Sequence, residues 1–327
     1  MTTTTVQLAD AYAPIAEPLR EVEAAFDREI AGDLDFVNEM CDRVRSYRGK
    51  MLRPALLLLS GKACGGLTPE HVVLGAVVEM VHMATLVHDD VLDQAGERRL
   101  RPTVNATEGN IAAVLLGDYL ISHAFHLCSS LPSSRASRMI GAATNTVCEG
   151  ELMQNRLRGR IDLSETVYFD IIRRKTAALT AVACELGAVF AGADDRCVRA
   201  MRTFGDRAGT AFQIVDDVLD VVGETDKVGK TLGRDAELGK PTLPVIHALS
   251  TLEGAERSQL SKILSCAEGA DREALRAMLD ASGSIAYAIG VARRFVEEAQ
   301  ACLEGLPDRE ARDSLHALAG FIVRRSF

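Results

Sequence analysis

The string Asp-Asp-Val-Leu-Asp occurs twice in this chain, beginning once at Asp89 and again at Asp216. On a helix turning about 100° per residue, Asp89, Asp90 and Asp93 fall within an arc of roughly 100°, and Asp216, Asp217 and Asp220 repeat that arrangement. Each set is a fork of carboxylates on one helix face. Both forks close an apolar helical run, Val72 to Leu86 and Ala211 to Val215, where a solvated acidic face would not be placed. Carboxylates crowded beside apolar surface are costly unless a cation neutralises them. All-oxygen clusters of this kind suit hard divalent ions, Mg²⁺ above all. The chain must therefore fold so that two helices offer acidic ends to a cation.

The rest of the chain supplies what such a fold needs. Its 327 residues are 47% apolar and 25% charged, enough for a large core in a water-borne protein. No Pro/Gly/Ser-rich linker divides it, so one domain over residues 1–327 is expected, with residues 1–8 a disordered threonine-rich tail. A net charge of −9 excludes a nucleic-acid surface, because such binding rests on Lys and Arg neutralising phosphates. A phosphorylated substrate would need local cations or metals. The eight cysteines form no Cys-x-x-Cys pair, which argues against a zinc site. With no signal peptide in view, they read as reduced thiols in the cytoplasm. Glu79, His82 and Asp118 interrupt the longest apolar stretches, so no transmembrane segment is expected.

Strand-like alternation survives nowhere, and the fold class is all-α. Helices are expected at about Ala9–Ile30, Asp35–Arg45, Pro69–Asp93, Asn110–Leu131, Arg138–Arg158, Glu165–Phe190 and Arg199–Val222, with amphipathic helices beyond Thr242 at about 243–252, 271–281, 284–304 and 308–324. Thr68-Pro69 is a helix start, with Thr as N-cap and Pro at the first position. Several cations stand between and after the forks. Lys50 and Arg53 precede a greasy turn and either snorkel or bind an anion. Arg98, Arg99 and Arg101 form a basic loop that serves either to cap the carboxylates or to hold a phosphate. His82 projects within roughly 20° of Asp89, and Gln213 shares the arc of the second fork. The loop from Gly223 to Pro241 carries Lys227, Lys230 and Lys240 among glycines, the make-up of a phosphate lid.

Gly49-Lys50-x-x-Arg53-Pro54, His82, Asp89-Asp90-x-x-Asp93 with Arg98-Arg99, Gly117-Asp118, Glu151-x-x-Gln154, Lys175-Thr176, Gln213-x-x-Asp216-Asp217-x-x-Asp220, Lys230 and Gly239-Lys240 occur in this order. In this the chain resembles the trans-isoprenyl diphosphate synthase (polyprenyl synthetase) family, medium- and long-chain members above all. Two positions depart from that pattern: Leu100 stands where the family has Gly, and Ala208 where it has Leu.

The resemblance implies one bundle of antiparallel helices around a deep central cavity, usually as a homodimer. It implies Mg²⁺-dependent head-to-tail condensation of isopentenyl diphosphate with an allylic diphosphate. By resemblance, Asp89, Asp90, Asp93 and Asp216 bind Mg²⁺ that grips the allylic diphosphate, with Arg98, Lys175 and Lys240 assisting. Asp217 and Asp220 support the second metal face, Gln213 and Lys230 lie on the allylic side, and Thr176 is a further substrate-binding residue. Lys50, Arg53, His82 and Arg99 hold isopentenyl diphosphate. The rivals are a short-chain synthase and a non-catalytic partner subunit of a heteromeric synthase.

Product length follows from what lines the helix before the first fork. Val78 and Thr85 project within roughly 40° of Asp89. Short-chain relatives carry bulky aromatics four or five residues before the first Asp, where this chain has Thr85 and Ala84. Phe125 is the next candidate floor, so a product of roughly six to ten isoprene units is expected by analogy with the family, at about 1.5 Å of helix per residue.

Overall fold

The computed structural model describes residues 8–223, 234–265 and 272–324, which are helical almost throughout. They divide into two compact units. The first holds the residues up to Thr144 together with Leu179–Gly205 and Cys302–Leu318, and the second holds Asn145–Ala178, Asp206–Ala301 and the residues from Ala319. Thr144, Gly205 and Leu318 lie inside helices, which is why no loop-rich composition marks a changeover in the sequence.

The first unit begins with α1 (Leu8–Tyr12), a 3₁₀ turn at Ala13–Ile15 and α2 (Ala16–Glu29). The sequence reads this stretch as one helix. Pro14, which lacks an N–H, breaks it into two. Next come α3 (Asp35–Ser46), α4 (Leu52–Cys64) and α5 (Pro69–Leu92), then strands β1 (Glu97–Arg98) and β2 (Arg101–Pro102), then α6 (Val104–Ser129). Helix α5 packs against α2, α4 and α6, and Phe26, Leu57, Leu58, Leu74, Met80 and Leu120 are buried around it. Its start is fixed by an imidazole. The Thr68 backbone N–H donates to His71 Nδ1 at 3.0 Å, so Nε2 carries the proton and donates to the Gly187 carbonyl at 2.9 Å. Helix α6 is broken at Gly109 (φ 87°), so the straight portion begins at Asn110, where the periodicity places it.

The second unit takes the later part of α7 (Arg135–Arg156), α8 (Glu165–Ile172), a π turn at Arg173–Ala177 and the later part of α10 (Asp195–Val222). Helix α9 (Ala178–Phe190) follows the π turn and lies almost wholly in the first unit. Beyond α10 come helices at Arg234–Glu237, Leu243–Thr251, Gly254–Ser265, Arg272–Ala281, Ser284–Ala301 and Arg309–Ile322. Val221, Val245, Leu249, Leu260, Leu275 and Leu279 form a core in this unit.

On length and mean hydropathy alone, helices α5 and α6, 24 and 26 residues long, both pass for membrane spans, because at most two charged side chains fall in the most apolar stretch of each. In α5 that apolar surface is turned inward, since 67% of its most apolar stretch is buried.

Candidate active site

Each fork sits where its apolar helix ends, and the three carboxylates of a fork do not play equal parts. In the first, Asp90 is turned inward, 2% exposed, while Asp89 and Asp93 are half-buried. Arg98 reaches back from β1 and clamps Asp90: Nη2 donates to Oδ1 at 2.8 Å, and Nε lies 3.0 and 3.1 Å from the two oxygens. Of the two parts open to Arg98, capping a carboxylate or holding a phosphate, this structure shows the first.

The hairpin that delivers Arg98 has a two-residue turn, Arg99-Leu100, with φ of 52° and 61°. Positive φ at both central residues is what a type I′ hairpin requires, and Asn-Gly is the sequence that satisfies it without strain. Here lies the physical reason for the Gly that Leu100 replaces. The left-handed conformation costs an L-residue roughly 1–2 kcal/mol. Part of that is offset in a glycine variant by about 0.4–1 kcal/mol of unfolded-chain entropy. Leu100→Gly should therefore stabilise the first unit by about 0.5–1 kcal/mol in urea unfolding, with 70% of the Leu100 surface already in solvent and little packing to lose.

Arg99 folds back onto the segment before α4. Its Nη1 donates to the Tyr47 carbonyl, and its guanidinium lies where a Cβ on Gly49 would stand, within 2.8 Å. Gly49 is thus required for close approach. Arg53, in the first turn of α4, and Arg99 both act on the carboxyl of Glu79, with Arg48 as a third cation. Glu79 is 3% exposed, and burial pushes its carboxyl up from the ordinary glutamate range while the three arginines and Glu23 modulate it. Arg53 and Arg99 thus share an electrostatic effect on one buried acid, Glu79, which the sequence alone did not single out. The signal was available: Glu79 projects within roughly 20° of Asp90 and stands one turn before His82. Lys50 is fixed through its backbone, its carbonyl accepting from Tyr12 Oη at 2.8 Å.

The second fork repeats the division. Asp217 is 5% exposed, and both of its oxygens are taken by uncharged donors: Tyr168 Oη at 2.6 Å and Gln213 Nε2 at 2.7 Å. Burial, then the negative charge of Asp235, pushes the Asp217 carboxyl well up, while these two hydrogen bonds oppose the rise. Gln213 is itself oriented by Thr176, whose Oγ1 donates to its Oε1 at 2.7 Å. Asp216 is half-buried. Asp220 caps the helix at Arg234–Glu237, with Oδ2 accepting the Asp235 N–H at 3.2 Å.

Thr176 and Lys175 sit on the π turn, which fans three consecutive cations to different partners. Arg173 bonds Asp206 at 3.1 Å, Arg174 bonds Asp170 at 2.9 Å and Glu149 at 2.8 Å, and Lys175 pairs with Glu151 while donating to Gln154 Oε1 at 2.9 Å. A π turn widens the helix by one residue and is frequent at functional sites. Helix α7 approaches it so closely that a Cβ on Gly150 would lie 2.6 Å from the Lys175 nitrogen and 2.7 Å from Arg174 Cβ. Gly150→Ala should therefore destabilise the protein by about 1–3 kcal/mol, as overpacking against backbone does. A melting temperature within one degree of the parent would contradict this contact.

Lys240 is positioned by backbone bonds. Its N–H donates to the Asp235 carbonyl at 2.8 Å, and the preceding Gly239 carbonyl accepts from Gly159 at 2.8 Å. Asp220, Asp235, Gly239, Lys240 and Gly159 line one cavity of the second unit. Lys227, Lys230 and most of the expected lid lie outside the described residues, as does the tail before Leu8.

Of the residues expected to set product length, Val78 and Ala84 are fully buried in the first unit. Thr85 is half-buried, with its hydroxyl donating to the His82 carbonyl at 2.7 Å. Phe125 is half-buried and turns its ring edge toward Gly141 of α7, 3.8 Å from where a Cβ would stand.

Comparison with known proteins agrees with this geometry. Residues 35–281 match the polyprenyl synthetase family. An all-trans-nonaprenyl-diphosphate synthase (geranyl-diphosphate specific) of Rhodobacter capsulatus is 36% identical over 97% of each chain. Heptaprenyl diphosphate synthase component 2 of Geobacillus stearothermophilus is 33% identical over 98% of this chain and 100% of its own. A crystal structure of polyprenyl synthase from Caulobacter crescentus, complexed with calcium and isoprenyl diphosphate, superposes with a TM-score of 0.94 over 98% of this chain and 99% of that one, at 31% identity. The chain therefore belongs to the polyprenyl synthetase family, the trans-isoprenyl diphosphate synthases, and is an all-α prenyltransferase of isoprenoid synthase fold.

Proposed function

We propose that this chain condenses isopentenyl diphosphate head-to-tail with an allylic diphosphate, in the presence of Mg²⁺, to give a medium- to long-chain all-trans polyprenyl diphosphate. The observation that carries the reading is the shared division of labour in the two forks. In each, the second aspartate is consumed by protein donors, Asp90 by Arg98 and Asp217 by Tyr168 and Gln213. By resemblance the metal ligands we assign are Asp89, Asp93 and Asp216, with Asp220 shared between metal and the Asp235 N–H; Asp90 and Asp217, held by these donors, support them.

The donor set fits a hard divalent ion. Among the described residues no three metal-binding side chains converge into a ready-made cage. Mg²⁺ is commonly held in that way, by one or two carboxylates plus substrate phosphates. The calcium and isoprenyl diphosphate in the Caulobacter crescentus structure support the same class of ion and ligand. When bound, such ions act as Lewis acids that offset the charge gathering on a departing diphosphate.

The side chains then do the following. Lys175 and Lys240 hydrogen-bond the phosphate oxygens of the allylic substrate as its C–O bond breaks, which stabilises charge that develops only on the way to the transition state. Lys230, with Thr176 and Gln213, belongs to the same group by resemblance. Lys50, Arg53, His82 and Arg99 hold the second diphosphate. The double bond of isopentenyl diphosphate attacks the allylic carbon, and the proton lost in forming the new double bond passes to the released pyrophosphate. No nucleophilic side chain is required.

The nonaprenyl and heptaprenyl relatives support a long product, as do the small side chains at Ala84 and Thr85. Putting bulk at the shallow level should shorten it, since an overfilled site rejects further methylenes. Chromatography of dephosphorylated products from Thr85→Phe should show a shift by one or more isoprene units. An unchanged length would sink this account.

The family match spanning 35–281 supports one polyprenyl synthase domain over the whole chain. An exposed apolar stripe on α6, with Ile111 80% and Leu115 62% exposed and Val114 between them, supports a homodimer, which sedimentation would test. We place the chain in the cytoplasm, the compartment that its scattered, unpaired cysteine pattern suggests. The name of the Geobacillus stearothermophilus relative, a synthase component, keeps a partner subunit as the rival reading, yet no carboxylate of either fork is missing here. The deciding experiment is incubation of the purified chain alone with isopentenyl diphosphate, an allylic primer and Mg²⁺. Elongation supports the proposal, and elongation only after a second polypeptide is added would overturn it in favour of the subunit.

A further inference from the structure

Four side chains in the second unit form a closed brace between two helical segments. Tyr168 on α8 and Asp217 on α10 meet at 2.6 Å; Gln213, one turn earlier on α10, bonds Asp217 at 2.7 Å and Thr176 on the π turn at 2.7 Å. The partners run in opposite senses, 168 with 217 and 176 with 213, so the segments are cross-tied at two points. A single tie leaves one helix free to rotate about the bond. Two ties fix rotation and sliding together.

What the brace holds is informative. Asp217 is the neighbour of Asp216 along α10, and Thr176 is the neighbour of Lys175. Neither Asp217 nor Thr176 can shift without carrying the adjacent residue with it. The direction of the bonds is also set: Thr176 donates to the Gln213 carbonyl, which turns the Gln213 amide toward Asp217 and leaves the other Asp217 oxygen to Tyr168. All of this rests on a phenol buried to 3% exposure among the apolar side chains of α8.

We infer that Tyr168 is a positioning residue for the transfer reaction: its hydroxyl, through Asp217, locks the register between Asp216 and Lys175. The inference rests on the proposed function, in which Asp216 is a metal ligand and Lys175 contacts the allylic diphosphate. A merely structural tyrosine would alter melting and nothing else. A positioning tyrosine would alter how well the fork and Lys175 act on one anion.

The test uses the full chain, with Mn²⁺ in place of Mg²⁺ and inorganic pyrophosphate as the anion, read by the paramagnetic signal of bound Mn²⁺. Tyr168→Phe should weaken pyrophosphate-dependent Mn²⁺ binding about tenfold and lower kcat by a similar factor, with KM for isopentenyl diphosphate unchanged. Thr176→Val should give the same defect and Thr176→Ser should restore it, because serine keeps the donor. Tyr168→Phe combined with Thr176→Val should be no worse than either alone, the non-additivity expected of groups acting as a unit. Asp216→Ala serves as the reference that removes a ligand outright. If Asp216→Ala abolishes Mn²⁺ binding while Tyr168→Phe leaves it and kcat within twofold of the parent, the brace is structural and the inference falls. If the parent chain shows no pyrophosphate-dependent Mn²⁺ binding, or Asp216→Ala leaves it intact, the proposed function itself fails.

Discussion

Asp216→Ala is expected to lower turnover by about a thousandfold or more while the protein unfolds at nearly the same denaturant concentration as the parent. The two effects separate because Asp216 and Asp217 are adjacent in sequence but do different work. Removing Asp217 would strand the Tyr168 and Gln213 donors in the interior, whereas Asp216 sits half-buried on the fork's outer side. A carboxylate that binds a catalytic cation supplies several kcal/mol of transition-state stabilisation, and about 4 kcal/mol corresponds to a thousandfold in rate. Asp89→Ala should behave likewise. Initial rates at saturating Mg²⁺, together with urea midpoints, check both halves of the statement. Near-parent turnover in either variant would remove that residue from the ligand set.

Arg98→Ala should produce the largest loss of stability of any single surface-to-core contact described above. The Asp90 carboxylate is 3% exposed at its side chain and the Arg98 side chain 16%, so the pair is shielded from the solvent screening that makes exposed ion pairs nearly worthless. Deleting one member of a buried pair leaves the other charge uncompensated and costs about 3–5 kcal/mol. Adding Asp90→Asn to Arg98→Ala should recover part of this, because the stranded charge is gone. Equilibrium unfolding of both variants measures it. A double variant less stable than Arg98→Ala would mean that Asp90 is held by something other than Arg98.

How much of this was legible in the sequence differs from one residue to the next. The forks were, because identical spacing on a helix of known period leaves one arrangement. Arg53 and Arg99 were expected at a common site, and the charge of each acts on Glu79. The unequal roles inside each fork were not legible: Asp89 and Asp90 differ by one position and about 100°, and which of them faces inward depends on Arg98 returning through a hairpin. Nor was the hairpin visible, since strands of two residues show no alternation. The helix Gly254–Ser265 escaped because its sequence is polar almost all round and Leu260 is its fully buried apolar residue. The π turn escaped for another reason. Periodicity averages over a window, and one extra residue shifts the phase without erasing the pattern.

That extra residue has a consequence for how such a chain can change over generations. A substitution at Lys175 or Thr176 alters one side chain, but a deletion anywhere in Arg173–Ala177 would let the segment close as an ordinary α-helix. The face bearing Tyr168 would then swing by about 100° relative to Thr176. Insertions and deletions are usually harmless in loops and ruinous in strands. A change of count in this stretch of helix should therefore disrupt as much as one in a strand, which makes the number of residues between Tyr168 and Thr176 a constraint in its own right, separable from which residues fill it.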